Sequence, residues 1–106
     1  MAANDDSDGG WRLATSPFDP QAARVSLERQ LRELRPLVAR GEGFALRGRA
    51  VVALALSGDG KAIDARLAVR PALVPEWTVH RLASASELRR FVGLVQAALR
   101  RWDEDD

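Results

Sequence analysis

Residues 48–74, GRAVVALALSGDGKAIDARLAVRPALV, constrain the fold more than any other stretch of the chain. Apolar side chains alternate on either side of a glycine-rich turn. Ala50, Val52, Leu54 and Leu56 share one face, and Ile63, Ala65, Leu67 and Val69 answer on a second strand. Ser57-Gly58-Asp59-Gly60-Lys61 supplies glycines for the positive φ angles that a hairpin connection requires. Arg47, Arg49, Val51, Ala53, Ala55, Asp64, Arg66 and Arg70 fall on the opposite face, which reads as the solvated side of an antiparallel sheet. A lone hairpin is marginal in water, so its apolar face needs a cover.

Helical patterns on either side supply one. Asp19-Pro20 opens the first, with an acid to cap free N–H groups and a proline suited to the first helical position. Leu27, Leu31, Leu34 and Val38 follow at spacings of four, three and four, a narrow apolar seam. Pro36 interrupts it; either the helix kinks there or it ends near Leu34 and a short turn follows. Gly41 and Gly43 stop it. Phe44 and Leu46 share the parity of Val52 and Leu54, so residues 44–46 read as a short third strand or as the start of one long bent strand, with Gly48 allowing a turn or bulge. Residues 71–83, with Pro75 and Trp77, read as irregular. Ser84 and Glu87 form a capping-box pattern ahead of a last helix. Along it Leu88, Val92, Val95, Leu99 and Trp102 repeat at helical spacing, widened by Phe91, Leu94 and Ala98. A two-stranded sheet is too narrow for that stripe. Either a second subunit meets Phe91, Leu94, Ala98 and Trp102, or the first helix and the 71–83 loop cover them.

The reading is therefore one α+β domain over residues 18–102: an N-terminal helix, an antiparallel β-hairpin or three-stranded sheet, and a C-terminal helix. A mobile acidic leader (residues 1–17, containing Trp11) and an acidic tail (103–106) flank it. At 106 residues and 46% apolar composition, a single core is feasible. No apolar run is long enough to span a membrane, and the leader lacks the pattern of a secretory signal. Cysteine is absent, which excludes disulfides and thiolate metal sites and is compatible with a cytoplasmic protein.

Catalytic patterns are missing. His80 is the only histidine, there is no cysteine nucleophile, and no G-x-S-x-G elbow or P-loop occurs. Asp59-Gly60-Lys61 is explained by the hairpin turn. No enzyme activity, cofactor or metal is expected.

Charge is the remaining signal. The 16 basic and 15 acidic residues give a net +1, but seven of the acids lie at the two ends, and residues 9–102 carry +8. Arg24, Arg29, Arg32 and Arg35 on the first helix and Arg89, Arg90, Arg100 and Arg101 on the last have the guanidinium forks that suit phosphate. Phe and Trp total six, too few for recognition by base stacking.

The order of elements, with Gly48-Arg49-Ala50-Val51-Val52 at the strand start, Val69-Arg70-Pro71-Ala72-Leu73-Val74 at the exit, and Leu88-Arg89-Arg90-Phe91-Val92 and Ala97-Ala98-Leu99 in the helix, resembles the YbaB/EbfC nucleoid-associated family over residues 20–102. Arg70 stands where that family usually has an acid before the proline, the 75–86 connection is longer, and the first helix lacks the usual Met, Lys and Gln. The resemblance implies a cytoplasmic, nucleoid-associated homodimer whose helices project from a joined sheet and which binds duplex DNA with limited sequence dependence. With it, the eight arginines are expected to contact phosphate, and Phe91, Leu94, Ala98 and Trp102 to form the dimer interface. The alternative is an adaptor or secretion-associated chaperone that docks a protein partner on the apolar helix face and on Trp11, Trp77 and Trp102. No membrane partner is expected.

Overall fold

A computed structural model describes residues 18–105; the acidic leader with Trp11, and Asp106, lie outside the described residues. The chain forms α1 (Pro20–Arg32), β1 (Val38–Arg40), β2 (Gly43–Leu46), β3 (Arg49–Leu56), β4 (Ile63–Ala68), β5 (Trp77–Leu82) and α2 (Ala85–Asp105). The five strands make one antiparallel meander in sequence order. The α+β class and its helix–sheet–helix order stand as read, with two more strands than the three anticipated.

Both helix starts follow their sequence signals. The Asp19 carboxylate accepts from the N–H groups of Gln21 (3.1 Å) and Ala22 (3.4 Å), with Pro20 at the first helical position. At α2 the Ser84 hydroxyl accepts from Glu87 N–H (3.2 Å), while the Glu87 carboxylate reaches back to Ala83 N–H (2.8 Å), one residue beyond the expected box. Thirteen residues are too few for α1 to persist alone in water. Leu27 and Leu31, both fully buried, hold it in the core, and the helix packs on β3 and α2.

The α1 seam ends sooner than its spacing suggests. The helix stops at Arg32, and a turn through residues 33–37, closed by Leu37 N–H to Leu34 C=O (2.9 Å), leads into β1. Val38 is thus an exposed edge-strand residue, not a helix core position. Two tight hairpins follow. Gly41, at φ +59°, joins β1 to β2. Arg47 and Gly48, at φ +52° and +82°, join β2 to β3 in the geometry of a type I′ turn, so Gly48 serves a turn. The bulge falls one strand further on. Phe44 pairs with Val52 and Ala45 with Ala50, which leaves Val51 without a partner. The expected alternation slips there by one residue: Val51 and Val52 are both buried, and Ala50 is exposed. Gly43 is required by packing, because a Cβ on it would lie 1.9 Å from the Val52 carbonyl oxygen.

Residues 77–82, read as irregular, are a full edge strand. Ile63 pairs with Leu82, Ala65 with His80 and Leu67 with Thr78. The run alternates apolar and polar residues only over Trp77–His80, too short a stretch to announce a strand, and its apolar members Trp77 and Val79 pair with Ala68 and Arg66 and not with the core-facing residues of β4. Val69 accordingly lies outside the ladder and is exposed.

Both helices lie against one face of the sheet. Val52, Leu54, Ile63, Ala65 and Leu67 from that face enclose the core with Leu27, Leu31, Phe91, Val95 and Trp102. The helices do not project from the sheet as the resemblance implied. Asp103, Glu104 and Asp105, read as part of an acidic tail, continue α2.

Candidate binding surfaces

Most of the apolar stripe of α2 is buried within the chain. Phe91, Ala98 and Trp102, expected at a dimer interface, are buried in the protomer's own core; Leu94 alone of the four is exposed, at 41%. The physical reason is sheet width. Five strands rather than two or three, together with α1 alongside, leave room for most of the stripe, Leu94 excepted. Trp77 is half-buried on the opposite face of the sheet, directly across from the buried Ala68.

The eight arginines separate into groups. Arg24 forms an i, i+4 ion pair with Glu28 at 3.3 Å and is half-buried. Arg29, Arg32 and Arg35 are exposed at and beyond the end of α1. On α2, Arg89 and Arg100 share one stripe and Arg90 and Arg101 another, each pair about 16 Å apart along the helix axis. The fold brings Arg35 and Arg100 to a single cleft, which Arg47 joins from the β2–β3 turn. Arg90 lines a smaller cleft at the other end of α2, with His80, Arg81 and Glu87. The helix segments 18–37 and 83–105 together carry eight arginines against seven acids, so the helix layer is close to neutral. The +8 of residues 9–102 does not concentrate there, because Asp103, Glu104 and Asp105 continue the same helix as Arg100 and Arg101.

His80 lies on a strand, not in a loop. Its ring sits 5.5 Å from Phe91, tilted at 58°. The Thr78 hydroxyl donates to Leu67 C=O (3.0 Å) and so has only its lone pairs to offer His80 Nε2, also at 3.0 Å; Nε2 is then the donor. The imidazole thus fixes the edge of the sheet against α2. In the β3–β4 loop, Asp59 accepts from the Ser57 hydroxyl and from Lys61 N–H (3.0 Å), and it pairs with Arg81 at 2.9 Å. These three donors, the Ser57 hydroxyl first, hold the Asp59 carboxyl well below the usual carboxylate range. They account for its role as a loop staple. Among the described residues no group of three or more His, Cys, Asp or Glu side chains is placed to hold a metal ion. No helix among them is long and apolar enough to cross a membrane.

A surface that the sequence reading passed over lies at the β4–β5 connection. Val69, Leu73, Val74 and Val79 are exposed, Leu73 at 84% and Val74 at 88%. Val69 N–H bonds Glu76 C=O at 2.8 Å and closes the loop, which carries Leu73 and Val74 at its tip. The signal was present as two aliphatic residues between Pro71 and Pro75, in a segment with no periodicity to bury them. The chain matches no known family model, no curated protein and no solved structure.

Proposed function

We propose that this chain is a non-enzymatic interaction module that docks a protein partner on the sheet margin formed by β5 and the 69–76 loop. One observation carries the reading: of the seven exposed large aliphatic residues among those described, four fall between positions 69 and 79. Scattered aliphatic exposure is ordinary, but clustering of this kind marks an interaction surface. The loop gains no folding stability from a Leu-Val pair that solvent surrounds. The helix face invoked for an adaptor from sequence is buried, so the docking role moves to the margin of the sheet. We take the compartment to be the cytoplasm, which a cysteine-free chain tolerates.

The test compares the wild type with the double variant Leu73→Asp/Val74→Asp, both confirmed folded. Nuclease-treated extract is passed over each, and captured protein is challenged at high salt. Capture that survives salt and disappears in the variant supports the reading. Capture that the variant retains in full removes it. Light scattering of the purified chain distinguishes a second copy from a foreign partner.

A second reading, duplex DNA association, is favoured by the paired arginine stripes of α2 and by the family resemblance. Phosphate contacts weaken steeply with salt, whereas an apolar contact does not. Fluorescence anisotropy with a labelled duplex at about 50 and 200 mM salt separates the two. Steeply salt-dependent binding that falls in Arg89→Glu/Arg100→Glu would favour the DNA reading over the protein one.

A further inference from the structure

The two edges of the sheet are finished differently. β1 is three residues long and lies one strand away from the bulge between β2 and β3. β5 pairs with β4 over six residues without a register shift and contains no proline. Its one formal charge, Arg81, is drawn back to Asp59 at 2.9 Å. Short length, bulges, prolines and free charges are what keep an edge strand from pairing with another chain. β5 has none of these guards.

Hydrogen-bond parity shows which backbone groups of β5 are free. Val69 N–H to Glu76 C=O (2.8 Å) extends the β4–β5 register by one pair, and Ser57 N–H to Ala62 C=O (2.9 Å) extends the β3–β4 register in the same way. Antiparallel pairs alternate between bonded and non-bonded. Leu67–Thr78, Ala65–His80 and Ile63–Leu82 are therefore the bonded pairs. The N–H and C=O groups of Trp77, Val79 and Arg81 point away from the sheet, and no hydrogen bond among the described residues takes them up.

α2 runs back along the same edge. Phe91 meets His80 at 5.5 Å, and Leu94 shares a cleft with His80, Arg81 and Leu82. The strand covers about 17 Å from Val79 to Ser84, and the helix returns about 15 Å from Ser84 to Leu94. Two exposed aliphatic residues, Val79 at 62% and Leu94 at 41%, thus stand level on opposite faces of one edge. Glu87 and Arg101 lie two turns to either side of Leu94 on its own stripe. Arg101 is exposed, and Glu87 binds Ala83 N–H through one carboxylate oxygen.

We propose that the β5 edge is covered by a second copy of this chain, joined antiparallel about a twofold axis that passes through Val79 and Leu94. In that register Val79 faces its own counterpart and Trp77 faces the partner's Arg81, so every outward backbone group named above enters a reciprocal N–H···O=C pair. On the helix side Leu94 meets its counterpart, and Glu87 faces the partner's Arg101. The backbone, the apolar residues and the charges are all self-complementary about the same axis, which is what an isologous contact requires and what singles out a second copy as the occupant. Of the four α2 residues expected from sequence at a dimer interface, only Leu94 takes part. The inference rests on the reading of this margin as a protein-docking surface and names what covers its β5 half. The loop at Leu73 and Val74 lies outside the paired residues.

The test is sedimentation equilibrium of the full chain, with amide hydrogen exchange as the second readout. A dimer is expected, with a dissociation constant on the order of 10 µM. On raising the concentration through that value, exchange at Trp77, Val79 and Arg81 is expected to slow, while exchange at Thr78 and His80 stays as it was. Val79→Pro removes an outward N–H and leaves the ladder with β4 intact, and it is expected to weaken the dimer at least about tenfold. Val79→Lys, which opposes two like charges on the axis, serves if the proline variant unfolds. Leu94→Lys is expected to act alike from the helix side. A monomer at about 100 µM, a dimer undiminished by the Val79 and Leu94 variants, or a dimer without slowed exchange at the three outward amides would each overturn the proposal. Capture of extract protein by a chain that stays monomeric, lost in Leu73→Asp/Val74→Asp, removes this inference alone. A β5 dimer whose loop captures nothing removes the foreign partner alone.

Discussion

The two faces of the sheet follow opposite rules. On the helix side, Val52, Leu54, Ile63, Ala65 and Leu67 are buried against Leu27, Leu31, Phe91 and Val95. On the open side, β3 and β4 present Ala53, Ala55, Asp64 and Arg66, small or charged residues that water accommodates. That order breaks down at the open face's far margin, where Val79 and the neighbouring loop residues Leu73 and Val74 are apolar and exposed. Folding accounts for the covered face and for most of the open one. It does not account for the margin, and this contrast is why a partner is sought there.

Substitutions on each side sharpen the contrast. The largest effect belongs to the covered face: Phe91→Ala is expected to cost about 3–5 kcal/mol in urea unfolding. Val79→Ala, on the open margin, is expected to stay within about 0.5 kcal/mol. Equal losses would mean that the margin is part of the core. Gly43→Ala comes next, at about 2–3 kcal/mol, because its Cβ would strike the β3 backbone at Val52. Gly58→Ala meets nothing within 4 Å and serves as its neutral counterpart in the same assay.

Smaller effects test the turns. Arg47→Asn suits a type I′ position better but gives up the interaction that Arg47 makes, and it is expected to stay within about 1 kcal/mol of the wild type in urea unfolding. A gain of several kcal/mol would show that the arginine strains the turn. Asp59 gives the smallest effect, visible as a pH dependence. Its carboxyl titrates lower in the folded chain than the ordinary value of 3.8, so its contribution is complete above that value and is lost as pH falls toward the folded one. The Tm difference between wild type and Asp59→Asn is expected to be constant from about pH 7 to 5 and to shrink below about pH 4. A difference that persists into strong acid would show that the carboxylate charge is not what staples the loop.

Legibility in the sequence tracked the range of the interaction. The caps at Asp19 and Ser84, the turn at Gly48 and the β3–β4 hairpin formed where the pattern placed them, whereas Gly41 and Gly43, read as the stop of the first helix, lie in a hairpin turn and in a strand. The first helix ends close to Leu34 with a turn after it, one of the two alternatives the proline left open, but Val38 was read into the helical seam because it continues the spacing, while its strand partner Ala45 is seven residues away. β5 was invisible because its hydrogen bonds are made to β4 and its side chains on the open face are mixed. The arginines that meet at one cleft were legible one by one, but nothing local joins Arg35 to Arg100.

What the chain determined by itself is the set of elements that local chemistry specifies: two capped helices with apolar stripes, and strands punctuated by glycine. What only the tertiary structure decided is which surfaces those stripes share. The width of the sheet depends on two edge strands too weakly patterned to declare themselves, and that width turned a supposed interface on α2 into core. Burial is a property of the assembled layers, so the exposed loop at residues 73 and 74 became visible only once those layers closed.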